Sequence, residues 1–258
     1  MNHQRIEFEG ALGHTLAARL DEPDGGARAF AVFAHCFTCS KDIAAASRIA
    51  LRLTEHGIGV LRFDFTGLGH SDGEFANTTF TSNIGDLIAA AGWLRENRSP
   101  PSVLIGHSLG GAAVLAAAHR IDEIRAIATI GAPADPEHVT HLFDDSMQEL
   151  QREGVAQVSI GGRPFTVGLG LVDDLRAQDP AVLIGSLKKA LIVFHSPLDS
   201  IVGVENASQI FGWAKHPKSF ISLDTADHLL SKREDAAFVA DVLAPWAARY
   251  IGEPGQGG

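Results

Sequence analysis

The chain has 258 residues, of which 45% are hydrophobic and 20% are charged, a composition typical of an ordinary folded protein. At about 150 residues per domain, this length allows one domain or two. The net charge of −10 argues against nucleic acid or an anionic membrane as a partner, because an acidic surface repels phosphate groups. The polar N-terminal residues and the lack of a long apolar window predict a cytoplasmic protein.

Apolar runs alternate with helical patterns along most of the chain. Period-two alternation in residues 5–9 and 15–20 predicts an opening antiparallel hairpin. Further strands are predicted at residues 29–34, 60–65, 103–105, 126–130, 190–194 and 219–223. Helices are predicted at residues 41–56, 77–97, 110–120, 204–214 and 233–250. This order predicts an α/β fold with a mostly parallel central sheet flanked by helices.

One long insertion interrupts the alternation after the strand at residues 126–130. A helix at residues 137–153 and a hairpin at 155–167, turning at Gly161 and Gly162, are predicted where a crossover needs only about a dozen residues. We therefore expect a single domain over residues 1–258, with a lid inserted at residues 137–186 and a flexible tail at 252–258. The apolar lid side chains have two interpretations: they cover a substrate pocket, or they attach the lid to the core.

The sequence Gly106-His107-Ser108-Leu109-Gly110 matches the G-x-S-x-G pattern of a nucleophilic serine. It follows an apolar strand and opens a helix of small residues, which is the context that the pattern requires. A sharp turn there exposes the Ser108 hydroxyl and directs the N–H of Leu109 toward developing negative charge. The alternative is a glycine-rich turn that carries a solvated serine. The context favours Ser108 as a nucleophile.

A serine hydroxyl needs a base, and the base needs an acid that orients it. His228 and Asp199 each follow a late strand, at the edge where parallel sheets place their sites. We therefore predict Ser108, Asp199 and His228 as catalytic residues. Asp224 also lies near a strand end and stays open as the acid, whereas Asp227, adjacent to His228, is badly placed to hold its ring.

Acyl transfer requires two hydrogen-bond donors aimed at the oxyanion. Leu109 is expected to supply one backbone N–H, and the loop after the strand that ends at His35 the other, for which we select Phe37. His35 and His107 are interpreted as structural residues and His195 as a packing or loop residue.

The chain resembles the α/β-hydrolase superfamily over essentially its whole length. The segments HCFTCSKD, RFDFTGLGHSDGEF, GHSLGG, SPLDSIV and ADH occur in the order found in cinnamoyl- and feruloyl-esterase-type serine hydrolases. The spacing is also similar to the hydrolase half of proteins fused to an OsmC-type peroxide-reductase domain. This resemblance implies ester hydrolysis, a lid after the sixth strand and an oxyanion hole from Phe37 and Leu109, and it supports Asp199 over Asp224.

The departure from this family is Cys36, which with Cys39 forms a C-x-x-C pair beside the expected oxyanion hole. Two cysteines exclude a framework of several disulfides and do not complete a four-ligand metal site. The pair is either redox-sensitive or simply two small residues that pack.

No cofactor or metal is expected. Gly67-Leu68-Gly69 resembles the start of a dinucleotide-binding loop, but Asp72 stands where that motif needs glycine. The expected partner is a small-molecule ester, and a homodimer is left open. The alternatives are a thioesterase, amidase or peptidase with the same residues, a non-catalytic binding protein, and a module that serves an OsmC-type partner.

Overall fold

A computed structural model describes residues 2–36, 40–160 and 163–252 and places ten strands in them. They are β1 (Asn2–Glu9), β2 (Thr15–Glu22), β3 (Ala29–Ala34), β4 (Ile58–Phe63), β5 (Pro101–His107), β6 (Ala126–Ile130), β7 (Val155–Ile160), β8 (Arg163–Gly168), β9 (Ala190–His195) and β10 (Lys218–Ser222). In this part of the chain, eight strands form one sheet in the order β1-β2-β4-β3-β5-β6-β9-β10.

The sheet is parallel from β4 to β10, and its first two strands run antiparallel to their neighbours. Strands β4, β6 and β9 are buried at every residue, which explains why their sequences are mainly apolar; their buried polar residues are Arg62, Thr129 and His195. Because parallel strands end at the same edge, the residues that follow β3, β5, β6, β9 and β10 come together there. The predicted α/β-hydrolase fold is confirmed.

Helices cover both faces of the sheet. They are α1 (Ala44–Glu55), α2 (Phe80–Asn97), α3 (Leu109–Ala117), α4 (Met147–Glu153), α5 (Leu169–Arg176), α6 (Pro180–Gly185), α7 (Glu205–Trp213) and α8 (Arg233–Ala247). Helices α1 and α8 pack on one face, and α2, α3 and α7 share the apolar core on the other. None of the helices in residues 2–36, 40–160 and 163–252 is long and apolar enough to cross a bilayer.

Two predicted helices begin later than their apolar pattern does. Helix α2 begins at Phe80 rather than at residue 77, because Thr79 caps it: the Thr79 hydroxyl accepts from Ser82 N, and the Ser82 hydroxyl accepts from Thr79 N. Helix α1 begins at Ala44 rather than at residue 41, and the backbone N–H of Lys41 instead donates to Asp64. A side-chain capping box thus sets the start of α2, whereas α1 begins at Ala44 without a side-chain cap.

The insertion between β6 and β9 contains a long 3-10 helix (Pro136–Ser146), the helices α4, α5 and α6, and the antiparallel pair β7–β8. The helix predicted at residues 137–153 is therefore a 3-10 helix up to Ser146 and an α-helix from Met147. The hairpin is confirmed, although Gly161 and Gly162 lie outside the described residues. Phe143 is buried, and Phe165 and Leu169 pack against the main core, so these side chains attach the insertion to the body. Leu142 is exposed.

Candidate active site

Ser108 lies at the turn between β5 and α3, where the sheet edge meets the N-terminus of a helix. Its backbone φ of 55° and ψ of −128° fall in a region that L-residues rarely adopt. The turn is held by hydrogen bonds from Ser108 N to Ile130 O at 2.9 Å and from Gly111 N to Ser108 O at 2.8 Å. Strain of this kind is maintained by the surrounding structure and is frequent at functional sites.

The glycines around Ser108 are required by close backbone approach. A Cβ on Gly106 would collide with the carbonyl of Gly110, and a Cβ on Gly110 would collide with the carbonyl of Ala34. The pattern G-x-S-x-G therefore reflects the space available when strand and helix fold back on one another.

Three predicted residues meet at this edge of the sheet. The Ser108 Oγ hydroxyl donates to His228 Nε2 at 3.0 Å, and His228 Nδ1 donates to Asp199 Oδ2 at 2.7 Å. The second oxygen, Asp199 Oδ1, accepts from the backbone N–H groups of Ile201 and Val202, each at 2.9 Å. This chain of contacts can move a proton from a serine hydroxyl to an imidazole that a carboxylate orients.

The carboxylate is held in its charged form by its partners. Burial alone would raise the pKa of Asp199, but hydrogen bonds from His228 and from the backbone of Val202 and Ile201 outweigh it and lower that pKa. A charged Asp199 fixes the proton of His228 on Nδ1, which leaves Nε2 as the acceptor for the serine proton.

The two competing acids have other partners. Asp224 is exposed, and its Oδ1 accepts from Ser222 Oγ at 3.0 Å. Asp227 is also exposed, and its Oδ1 accepts from Ser231 N at 2.8 Å. The structure therefore brings Asp199 to the imidazole of His228, and neither alternative makes that contact.

Of the two predicted oxyanion donors, Leu109 is described and Phe37 is not. Leu109 begins α3, and the first N–H groups of a helix have no partner within it. Phe37 lies outside the described residues. Before it, the described segment that follows β3 ends at Cys36; after it, Lys41 donates to Asp64 from N at 2.5 Å and from Nζ at 2.7 Å.

Cys36 is nearly buried and disulfide-bonded. The interpretation of Cys36 as a small free thiol that packs is therefore wrong. Cys39, the other cysteine of the chain, lies outside the described residues.

Three buried histidines lie beneath the site at the ends of neighbouring strands. His35 Nδ1 donates to Cys36 O at 2.6 Å, His107 Nε2 to His228 O at 2.7 Å, and His195 Nε2 to Val202 O at 2.8 Å. Among the described residues, the other ring nitrogen of each has no hydrogen-bond partner. Each histidine thus fixes one loop of the site through a hydrogen bond to a backbone carbonyl of that loop. The spacing of residues in the sequence does not reveal this role.

His107 makes the stability of the fold depend on pH. Burial and the nearby His228 ring lower the pKa of His107 from 6.5 to about 4, against the opposing effects of its hydrogen bond to the His228 carbonyl and of the Asp199 charge. Between pH 6.5 and pH 4, His107 therefore binds a proton in the unfolded chain but not in the folded chain. The free energy of unfolding consequently falls as the pH falls through this range. We expect the free energy of unfolding to drop by about 2 kcal/mol more from pH 6.5 to 4.5 in the native protein than in His107→Gln.

Urea unfolding at the two pH values measures this difference. Glutamine keeps an N–H that can donate to the His228 carbonyl but does not titrate, so it isolates the ionisation. Equal losses of stability in the two proteins would show that His107 is not the group responsible.

Gly131, directly after β6, is a site residue that the sequence patterns do not identify. Its φ is +54°, and a Cβ there would lie 3.1 Å from Asp199 Oδ2 and 3.3 Å from His228 Nδ1. We expect Gly131→Ala to displace this pair and to lower kcat by about 10- to 100-fold, as a small misplacement of catalytic groups does. Gly13→Ala is the matched control, because Gly13 has a φ of +75° with open space around it. Equal kcat values in the two variants would contradict the prediction.

Gly67 and Gly69 shape a loop. Both have positive φ, and a Cβ would clash with the backbone of Glu74 and Phe75 at Gly67 and with the carboxylate of Asp64 at Gly69.

Across the described ranges, no group of three or more His, Cys, Asp or Glu side chains is arranged to hold a metal ion.

The fold and the serine turn define this protein as an α/β hydrolase of the serine type. The family model described as serine aminopeptidase, S33, matches residues 26–160. The chain belongs to this family of α/β hydrolases.

Solved structures of similar proteins cover nearly the whole chain. The esterase domain of a Rhodothermus marinus protein is 49% identical, with a TM-score of 0.81 over 98% of this chain and 100% of that one. Est1E from Butyrivibrio proteoclasticus, solved with ferulic acid bound, is 20% identical with a TM-score of 0.82 over 95% of this chain and 99% of that one, a similarity of fold.

A curated relative matches a shorter stretch. The mitochondrial palmitoyl-protein thioesterase ABHD10 of Rattus norvegicus is 33% identical over 97 residues, which are 38% of this chain and 31% of that protein. The match therefore spans about a third of that thioesterase.

Proposed function

We propose that this protein hydrolyses carboxylic esters through an acyl-enzyme formed on Ser108. The observation that carries the proposal is the hydrogen-bonded series from Ser108 through His228 to Asp199, with the serine held in a strained turn at a helix N-terminus. The similarity to the Rhodothermus marinus esterase domain, at 49% identity over nearly the whole chain, supports an ester as the substrate.

In the first step, Ser108 Oγ attacks the ester carbonyl while its proton passes to His228 Nε2. Asp199 stabilises the resulting imidazolium through Nδ1. The backbone N–H groups of Leu109 and Phe37 are assigned to the oxyanion. His228 then protonates the leaving alcohol, and a water molecule, activated by the same imidazole, hydrolyses the acyl-enzyme.

The proposed substrates carry small or aromatic acyl groups. Apolar side chains from α2 and α3 lie beside Leu109, which favours an apolar acyl group over a charged one. The fold shared with Est1E, which binds ferulic acid, brings aromatic acyl groups into the same set.

The insertion at residues 137–186 is proposed as a lid. Pro180 and Leu183 of the insertion line a narrow cavity against α3, and Phe80 lines both this cavity and the one beside Leu109. Leu142 is exposed on its 3-10 helix and is available to contact a substrate.

A thioester is the second candidate substrate. The match to the Rattus norvegicus thioesterase favours it, and thioesters use the same nucleophile, base and oxyanion donors. Comparison of kcat/KM for p-nitrophenyl butyrate and S-butyrylthiocholine separates the two: an esterase favours the first, and a thioesterase the second. The amide-cleaving alternatives predict turnover of a p-nitroanilide.

Labelling by a fluorophosphonate tests the proposal. The probe phosphonylates a serine that is activated by a base, with loss of fluoride. We expect one label per chain, on the peptide that contains Ser108, and a matching loss of p-nitrophenyl butyrate hydrolysis. Hydrolysis of the ester while Ser108 stays unlabelled would contradict the proposed nucleophile. A protein that neither hydrolyses the ester nor takes up the label would be a non-catalytic binding protein.

A further inference from the structure

A buried carboxylate lies behind the segment that is assigned one of the two oxyanion donors. Asp64 directly follows β4 and is fully buried, and no step of the proposed reaction uses it. Its carboxylate accepts hydrogen bonds from Lys41 N at 2.5 Å, from Lys41 Nζ at 2.7 Å and from His70 N at 3.0 Å. Burial of an ionised carboxylate costs free energy unless such donors surround it. These three bonds therefore tie Lys41 and His70 to one buried point.

The donors keep Asp64 in its charged form. Burial alone would raise the pKa of Asp64, but hydrogen bonds from the side chain and backbone of Lys41 and from the backbone of His70 outweigh it and lower that pKa. Gly69 leaves room for the carboxylate, because its φ is +57° and a Cβ there would collide with Asp64 Oδ2. The loop at residues 67–70, whose glycines resemble a dinucleotide-binding motif, is therefore shaped around Asp64.

Lys41 is held on both sides of its backbone. Its N–H donates to Asp64, and its carbonyl accepts from the guanidinium of Arg62, which is buried and paired with Asp21. Lys41 follows Phe37, the residue assigned the second oxyanion donor, after one short stretch of chain. Asp64 thus fixes the C-terminal end of the segment that contains this donor.

The N-terminal end of the same segment lies against the serine turn. Ala34 ends β3, and a Cβ on Gly110 would collide with the carbonyls of Ala34 and His35, so the backbone there touches the first turn of α3. His35 Nε2 lies 3.6 Å from Asp64 Oδ1, which packs the imidazole ring against the carboxylate. Asp64 therefore contacts one end of the segment and is hydrogen-bonded to the other, with Phe37 between them in the sequence.

We propose that Asp64 is a positioning residue of the oxyanion hole. It fixes both ends of the segment that carries the Phe37 N–H, so that this donor and the Leu109 N–H point at one oxygen atom. The proposal rests on the proposed esterase function and concerns the same site. Asp64 acts through the segment and does not touch the substrate. Because an oxyanion donor contributes only when it is aimed at the transition-state oxygen, loss of Asp64 lowers kcat and leaves KM nearly unchanged.

Asp64→Asn is the test, with p-nitrophenyl butyrate as substrate and propyl trifluoromethyl ketone as inhibitor. The amide turns N–H groups toward donors that the carboxylate accepted from. Ser108 Oγ adds to the ketone carbonyl, the hydroxyl proton passes to His228, and the carbonyl oxygen becomes an oxyanion, so Ki reports on the oxyanion donors. We expect kcat to fall about 100-fold and Ki to rise by a similar factor, with KM within about threefold. Active sites are counted by fluorophosphonate titration, so that unfolded protein does not enter kcat.

Asp86→Asn is the matched control. Asp86 is also fully buried, and its carboxylate accepts from Ala11 N, Thr66 N and Thr66 Oγ1, so its amide creates the same mismatch away from residues 35–41. We expect this variant to be less stable in urea than the native protein, as Asp64→Asn is, because each leaves buried donors unsatisfied. Its kcat per active site and its Ki should stay within about threefold of the native values.

Folded Asp64→Asn with the native kcat overturns the proposal, as does a loss of kcat with an unchanged Ki, or an equal loss in Asp86→Asn. If Asp64→Asn does not fold, Lys41→Met decides. It removes the Nζ donor and keeps the backbone bond, and kcat should fall and Ki rise together by about 10-fold. An unchanged kcat in Lys41→Met then overturns the proposal. Failure of the native protein to hydrolyse any ester overturns the esterase proposal instead.

Discussion

Replacement of Ser108 by alanine is expected to lower kcat for p-nitrophenyl butyrate by about 10⁴- to 10⁶-fold, with little change in KM. The Oγ atom that is removed lies 3.0 Å from His228 Nε2 and is the only proposed nucleophile. What survives comes from the oxyanion donors and from binding, which do not need the hydroxyl. Steady-state kinetics, with active sites counted by fluorophosphonate titration of the native protein, measure the loss.

Ser102→Ala is the matched control for this variant. Ser102 lies on the same strand β5, and its buried hydroxyl has no hydrogen-bond partner within the described residues. It should keep kcat within a few-fold of the native value. A Ser108→Ala protein that retains more than a tenth of the native rate would rule out Ser108 as the nucleophile.

The second large effect is expected from Asp199→Asn, which should lower kcat by about 10⁴-fold while the fold is kept. An asparagine amide that donates to His228 Nδ1 forces the ring proton onto Nε2. The nitrogen that faces Ser108 is then no longer able to accept a proton. Because the change acts on the imidazole rather than on substrate contacts, the loss should appear in kcat.

Asp224→Asn separates the two candidate acids. Asp224 contacts Ser222 rather than His228, so its replacement should change kcat by less than about threefold. The opposite ranking, with Asp224→Asn the more damaging variant, would transfer the role of the acid to Asp224.

The sequence was sufficient to predict the fold and the meeting of the three central residues. Continuous apolar strands between helical patterns indicate a parallel sheet, and parallel strands bring the residues after β5, β9 and β10 to one edge. Ser108, Asp199 and His228 follow from that rule together with the glycine pattern around the serine.

The supporting residues were not predictable in the same way. The bond from His107 to the carbonyl of His228 joins residues 121 positions apart, and neither spacing nor periodicity carries that information. The role of Gly131 depends on a positive φ and on the atoms that surround it.

The order of the strands gives the serine and its base unequal protection against local opening. Strand β5, which carries Ser108, is hydrogen-bonded to β3 and β6, whereas His228 follows β10, which lies at the edge of the sheet and pairs with β9. Fluctuations that release β10 remove the imidazole while the serine stays in its turn. We therefore expect thermal inactivation of this hydrolase to start from the base side of the site, at temperatures where the centre of the sheet is intact.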